Sequence, residues 1–312
     1  MKGMELARSY YQKYAPKIIE SFPAYKDRMA FGLVGEGSEC YGYDDQISQD
    51  HDFGPGFCIW ITRETANEIG ADLQRAYNGL PMEHMGYIRQ ETAEGAGRIG
   101  VLPIDRFYTR YTNCADVPST NLQWLEIPER FLSTATNGEV FSDPEGIFTS
   151  VRNTLLGFYP EDVLRKKIAA RAAVMSQSGQ YNFPRCTNRG ENEAAYLACS
   201  EFVRTSLSMC FLLERKYMPF YKWAFRKTQE FTVCQNQAGQ LKQLIALGND
   251  PAKAAEKQQI IESICTAVAK ELKKQGFSDT DDPFLQMHCP SIMAGISDPK
   301  IRGLHVMADC DQ

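Results

Sequence analysis

Apolar and polar residues follow two different periods along the first half of the chain. Runs with an apolar side chain every three or four positions predict amphipathic helices, and short continuous apolar runs are typical of buried strands. We predict helices over residues 4–20 and 64–77, and strands over residues 29–34, 57–61, 98–102 and 104–108. Thr62 is the expected N-cap of the second helix, and Pro103 interrupts the last strand.

The second half has helical periodicity throughout. We predict helices over residues 161–176, 191–217, 221–232, 238–247 and 251–275, with the polar segment 177–182 as a break between two of them. The change of pattern falls near the turn at 143–146, so we expect two domains, residues 1–150 and 151–312. The predicted fold class is α+β, with a mixed sheet and helices followed by an all-helical domain.

Composition excludes several classes of protein. The 312 residues are 43% apolar and 23% charged, typical of a globular chain rather than a disordered or coiled-coil one. The net charge of −5 divides unevenly, because residues 1–150 carry 13 basic and 22 acidic residues and the rest carry 21 and 17. A nucleic-acid partner is therefore not expected, since it needs a dense basic stripe. Without an 18-residue apolar run or a signal-peptide pattern, we expect no membrane span and a cytoplasmic protein.

Cysteines and histidines do not predict a metal site. None of the ten cysteines forms a C-x-x-C pair, and in a cytosolic protein they are expected to be free, mostly buried thiols. The four histidines lie far apart in the sequence, which argues against a His-rich metal site or a Ser-His-Asp triad.

Candidate chemistry is concentrated between the first two predicted strands. Gly37-Ser38 follows the first strand, and Asp50-His51-Asp52 precedes the second. Carboxylates at i and i+2 of an extended chain point to the same side and repel each other unless a cation lies between them. Mg²⁺ accepts such oxygens together with substrate phosphates, and glycine lets the backbone approach a phosphate. On an extended chain His51 is expected to point the other way, so it is not assigned as a ligand.

An alternative reading of the acidic pair stays open. Asp-x-Asp is common in turns and caps, where aspartate bonds its own backbone. The Gly-Ser turn at this spacing, between two predicted strands, favours the metal site.

A basic, aromatic helix face in the second half is a second candidate. Lys216, Lys222 and Arg226 lie near Tyr217, Tyr221 and Trp223. Such a face can hold a triphosphate or stack a base. The alternative is a solvated charged face with its aromatic rings turned inward.

The Gly-Ser and Asp-x-Asp elements resemble the signature of the nucleotidyltransferase superfamily typified by DNA polymerase β. The chain is closer still to a bacterial family, the domain of unknown function 4037. The segment Asp50 to Pro55 is similar to it, as are residues 159–162, 177–182, 216–217, 221–226 and 301–307.

This resemblance implies a nucleotidyltransferase domain, in which Gly37 and Ser38 contact phosphates, followed by a helical substrate domain. It implies Mg²⁺ or Mn²⁺ as cofactor, held by Asp50 and Asp52, and an NTP substrate, with ATP expected. It also implies a third carboxylate, for which Asp105 is the best candidate. A surface Asp105 paired with Arg98 or Arg106 is the alternative, and the weaker rivals are Glu83, Glu91 and Glu94.

The expected reaction moves a nucleoside monophosphate from the NTP to an acceptor and releases pyrophosphate. Lys216 and Lys222 are expected to bind the nucleotide, Asp105 to bind the second metal or accept the acceptor's proton. The expected acceptor is a small molecule or a protein side chain. Two alternatives are a catalytically silent nucleotide-binding regulator and an antitoxin-like transferase that modifies a partner protein.

Overall fold

Backbone hydrogen bonds join four strands of the first half into one mixed sheet. The computed structural model describes residues 1–49, 53–90, 95 and 97–309. Its strands are β1 (Ala30–Leu33), β2 (Cys58–Ile61), β3 (Glu83–His84), β4 (Tyr87–Ile88), β5 (Gly100–Pro103) and β6 (Glu139–Ser142). The sheet order is β5-β2-β1-β6, in which β2 and β5 are parallel and the other neighbours antiparallel, while β3 and β4 form a separate hairpin.

The helices occupy most of the remaining described chain. They are α1 (Gly3–Ser21), α2 (Arg63–Asn78), α3 (Ile104–Thr112), α4 (Asn121–Glu126), α5 (Glu129–Thr136), α6 (Ile147–Leu156), α7 (Glu161–Met175), α8 (Phe183–Asn188), α9 (Asn192–Leu213), α10 (Tyr221–Lys227), α11 (Gln235–Ala246), α12 (Ala254–Lys274), α13 (Cys289–Ala294) and α14 (Pro299–Arg302). A π-helical segment, Ser176–Asn182, follows α7 directly. The predicted α+β class is confirmed. Among the helices that the structure describes, none has the length and apolar character needed to cross a bilayer.

The chain divides into two compact units that interleave in sequence. The first unit comprises residues 1–118 and 130–157, and the second comprises residues 119–129 and 158–312. The predicted boundary at residue 150 lies inside α6, and residues 119–129 belong to the second unit although they precede it.

The core of the first unit explains the continuous apolar runs. Along β2, Ile59 and Ile61 face α1 and the aromatic cluster around Phe57, while Trp60 faces the other side and stacks on Phe148 at 3.8 Å between ring centroids. Because successive strand residues point to opposite faces, a sheet covered on both faces needs apolar residues at every position.

Two segments differ from the predictions. Residues 104–108 belong to helix α3, not to a strand, because Ile104, Phe107, Tyr108 and Tyr111 repeat at helical spacing and are all buried. Five residues are too few to show that period. The predicted break at 177–182 is also wrong, since the chain continues there as a π-helix.

Candidate functional site

Two glycines shape the turn that follows β1. Gly35 and Gly37 have φ of +127° and +121°, a region that side chains rarely allow. The Gly35 N–H donates to Asn137 Oδ1 at 2.9 Å, and Asn137 Nδ2 donates back to the Gly35 carbonyl at 2.8 Å. This two-point bond fixes the turn against the start of β6. Sequence reasoning did not single out Asn137, and no local motif marks it.

Arg98 lies directly over the turn. Its Nη2 donates to the Glu36 carbonyl at 2.8 Å and to Glu39 Oε1 at 2.9 Å. A Cβ added at Gly37 would collide with this guanidinium and with the Glu39 carboxylate. Gly37 is therefore required for a charged side chain to approach the backbone. Ser38 begins the 3-10 helix Glu39–Tyr41, and its carbonyl accepts from the N–H groups of residues 41 and 43.

The predicted acidic pair, Asp50 and Asp52, lies outside the described residues, as does His51. The chain is described again from Phe53, which is buried with its ring centroid 5.6 Å from that of Tyr87. Gly54 then packs so closely against the Arg89 backbone that a Cβ would collide with it. The residues immediately after the acidic pair are thus firmly placed.

A cavity of about 270 Å³ joins these pieces. Its walls include the turn (Glu36 and Glu39), the segment after the acidic pair (Phe53, Gly54 and Gly56), the end of α2 (Gln74, Tyr77 and Asn78) and two arginines, Arg89 and Arg98. Arg89 is only 4% exposed, and its guanidinium lies 5.3 Å from the Tyr77 ring centroid. Burial raises the pKa of Tyr77, which keeps this phenol neutral. The cavity thus brings two guanidinium groups, which can bind anions, together with residues that follow the acidic motif in the sequence.

Asp105 and this turn lie near opposite ends of the strands of the sheet. Cys58 pairs with both Gly32 and Gly100, so the end of β1 and the start of β5 lie at the same end of the strands. Asp105 follows Pro103, which pairs with Ile61 about 10 Å further along the strands. The structure therefore does not bring Asp105 and Gly37 together.

The partner of Asp105 is Arg63, in the first turn of α2. Arg63 Nε donates to Asp105 Oδ2 at 2.7 Å. The other oxygen, Oδ1, is buried and has no hydrogen-bond partner among the described residues. The alternative partners of the sequence analysis, Arg98 and Arg106, do not make this ion pair, but the interpretation of Asp105 as an ion-paired residue fits the geometry. Its assignment as a metal ligand has no structural support.

Other acids lie near the glycine turn. Glu36 pairs with Arg110 at 3.0 Å, Glu39 pairs with Arg98, and Glu139 stands opposite Leu33. The rival Glu83 is exposed in β3, while Glu91 and Glu94 lie outside the described residues. In the part of the chain that the structure describes, no three His, Cys, Asp or Glu side chains group closely enough to hold a metal ion.

Lys216 and Lys222 belong to the second unit and have different surroundings. The Lys216 ammonium donates to the Glu230 carbonyl, so it closes the short 3-10 helix Thr228–Glu230. The Lys222 ammonium lies 4.5 Å from the Trp223 ring centroid at the start of α10. Tyr217 is buried, whereas Tyr221 is 77% exposed. The predicted basic face is thus divided between a structural lysine and an exposed one.

Comparison with known proteins gives a match to one family model over part of the chain. Residues 124–224 match the model described as Domain of unknown function (DUF4037). The predicted resemblance is confirmed over this stretch. This stretch is about a third of the chain and includes Lys216 and Lys222. It begins after the glycine turn and Asp105, so neither belongs to the match.

The solved structures that match this chain include a nucleotidyltransferase-like protein from Exiguobacterium sibiricum 255-15. The match covers 85% of this chain and 79% of that protein, with a TM-score of 0.37 and 9% sequence identity. No curated protein matches this chain.

Proposed function

We propose that the chain is a metal-dependent nucleotidyltransferase that moves a nucleoside monophosphate from an NTP, with ATP expected, to an acceptor. The observation that carries the proposal is the convergence on one cavity of the positive-φ glycine turn, the residues that follow Asp50 and Asp52 in the sequence, and two arginines. Positioning and charge neutralisation contribute most of the rate in transfers of phosphorus groups, and these elements supply both.

The donor set around the cavity fits a hard divalent cation. Asp50 and Asp52 offer carboxylate oxygens directly before Phe53 in the sequence, and the Glu36 and Glu39 carboxylates belong to residues that line the cavity. These two aspartates would hold Mg²⁺ or Mn²⁺. When bound, the metal would orient the phosphates and neutralise charge at the attacked phosphorus.

The arginines are the groups that bind phosphate in this proposal. Arg98 is held by Glu39 and by a backbone carbonyl, and a phosphate can replace these acceptors with a bidentate pair. Arg89 presents a second cation, largely desolvated, to the same cavity. Lys216 and Lys222, in the second unit, are proposed to bind the nucleotide. Asp105 is given no role in the reaction, because its ion pair with Arg63 lies near the opposite end of the strands from the glycine turn.

The acceptor in this proposal is a small molecule or a protein side chain. A net charge of −5 does not favour the many phosphate contacts on which nucleic-acid binding rests.

Turnover of labelled ATP with Mg²⁺ or Mn²⁺ and a metabolite extract tests the function. Asp50→Asn and Asp52→Asn are each expected to lower the rate by about 10²–10³, the scale of losing one electrostatic stabiliser. Asp105→Asn is expected to retain the rate, and Asp116→Asn, at an exposed position, is the matched control. A native rate in both Asp50 and Asp52 variants would reject the proposal. Metal-dependent ATP binding without turnover would favour the silent regulator.

A further inference from the structure

The second unit contains an open groove, of about 710 Å³, that the proposed function does not use. One wall is formed by the end of α7 and the π-helical segment, and the other by the N-terminal half of α9. Val174, Ala194 and Ala198 provide an apolar floor, and Met307 closes one end. Gln177, Asn182 and Cys186 add polar groups.

The π-helix brings two carboxamides to this groove. Phe183 N–H bonds to the Ser178 carbonyl five residues earlier, the π-helical pattern. Gln177 and Asn182 are also five residues apart, so one π turn stacks them on the same face. In an α-helix the same two positions would diverge by about 140°. The unusual backbone is therefore the reason that both side chains line the groove.

The opposite side of the π segment is locked. A Cβ on Gly179 would collide with the Phe202 ring, so the segment packs as closely against α9 as a backbone can. Gln180 Nε2 donates to Glu262 at 2.8 Å, and its Oε1 accepts from the Leu285 N–H at 3.0 Å. The Gln177 and Asn182 side chains, by contrast, have no hydrogen-bond partner among the described residues, so their donors and acceptors are available to a ligand.

Buried charges place Met307. The Lys166 ammonium, fully buried, donates to the carbonyls on either side of Met307 at 2.9 and 2.8 Å. Asp309, with φ of +89°, pairs with the buried Lys167 at 2.9 Å and with Arg171. Buried ions and a positive φ at a non-glycine residue both cost stability, and such costs are concentrated at functional sites. The π-helical wall of the groove and its end at Met307 are thus irregular backbone held in place.

We propose that this groove binds the base of a purine nucleoside. A carboxamide offers an adjacent donor and acceptor, which match the edge of adenine, and two of them project from one wall. The alanine floor and the Met307 thioether suit the faces of an aromatic ring. The Glu201–Arg204 ion pair, 2.8 Å long, leaves a polar rim for the ribose. This site lies in the second unit and does not depend on the proposed transferase activity.

Titration of the full chain with adenosine, followed by calorimetry, tests the proposal. Ala198→Leu fills the floor and is expected to abolish binding, whereas Ala255→Leu, at an exposed position of α12, is expected to leave it unchanged. Gln177→Ala and Asn182→Ala remove one polar partner each and should weaken binding about tenfold or more. These two positions lie at the surface of the groove, so they keep the test decisive if Ala198→Leu does not fold.

A second readout separates this groove from the cavity near Gly37. Adenosine should slow alkylation of Cys186, which lines the groove, but not that of Cys114 in the first unit. Arg98→Ala should bind adenosine like the native protein. Loss of adenosine binding in Arg98→Ala alone, absence of binding to the native chain, equal binding of ribose, or unchanged binding in the Gln177 and Asn182 variants would each overturn the proposal.

Discussion

Gly37 has a backbone conformation, φ +121°, in which any side chain is strained. Gly37→Ala also forces Arg98 and Glu39 away from the turn. We expect a loss of about 1–3 kcal/mol in the free energy of unfolding and loss of ATP binding, measured by urea denaturation and calorimetry. Gly42→Ala is the control, because Gly42 has φ +68° with no atom near its missing Cβ and should cost about 1–2 kcal/mol without affecting ATP. Equal effects on ATP binding in both variants would contradict the role of the turn.

His84 makes stability depend on pH. It is 6% exposed, with Nε2 2.9 Å from Ser9 Oγ and with Tyr10 and Tyr14 packed edge-on against its ring. Burial, and secondarily the nearby Lys13, lower its pKa below the usual 6.5. The unfolded chain then takes up this proton first, so the free energy of unfolding should fall as pH drops below 6.5 and should not change above it on this account.

Urea denaturation between pH 7.5 and 5 measures this effect. His84→Gln should flatten the pH dependence, whereas His305→Gln, at an exposed position, should leave it in place. An equal slope in native protein and His84→Gln would show that other groups cause it.

Sequence reasoning located part of the site and missed its cations. The Gly37-Ser38 turn follows β1 as predicted, and Gly35 and Gly37 have the positive φ that a tight turn requires. Arg89 and Arg98 reach the cavity from a segment distant in sequence, and no spacing rule relates them to the turn. Asp105 was predicted to lie on a strand because its short apolar context resembles one, whereas it lies in the first turn of helix α3.

Among the elements, the π-helix depends on one glycine. In Gly179→Ala the added methyl group meets Phe202 and Ile261, so we expect a loss of about 1–3 kcal/mol, the range for overpacking a core. Gly239→Ala is the matched control, since Gly239 lies inside α11 with no atom near its missing Cβ and alanine is the better helix former. It should stabilise the chain by about 0.5–1 kcal/mol. Denaturant unfolding compares the two, and the same sign in both would refute this account of the π segment.

Long periodic elements were predictable and short ones were not. Helices α1 and α2 lie within one residue of the predicted ends, and the Thr62 side chain accepts from the Thr65 N–H as an N-cap should. Helices α4, α5 and α6 and strand β6 were not predicted. Strand β6 has only four residues, all partly exposed, so it contains no apolar run that would predict a strand paired with β1.

For the whole molecule, the sequence revealed two kinds of architecture but not how the chain alternates between them. Residues 119–129 belong with the helical unit, yet residues 130–157 return to the unit that contains the sheet. The two units are defined by contacts between residues distant in sequence, and the composition of the chain does not show those contacts. The Lys167 and Glu129 side chains illustrate this, because both are buried and their partners are distant in sequence.

These buried charges give the second unit its largest predicted sensitivity to a single substitution. Arg171 pairs with Glu129, at 2.7 Å, and also with Asp309. Asp309 pairs in addition with Lys167. One network of ion pairs therefore connects α7, the segment 119–129 and the chain near residue 309. Asp309→Ala leaves two buried cations short of an anion and should cost about 3–5 kcal/mol in urea denaturation. Glu256→Ala breaks the exposed pair with Lys253, 3.1 Å long, and should cost at most about 1 kcal/mol. Equal small losses of unfolding free energy in the two variants would mean that water solvates Lys167 and Arg171 when Asp309 is removed. The network would then not hold the chain near residue 309.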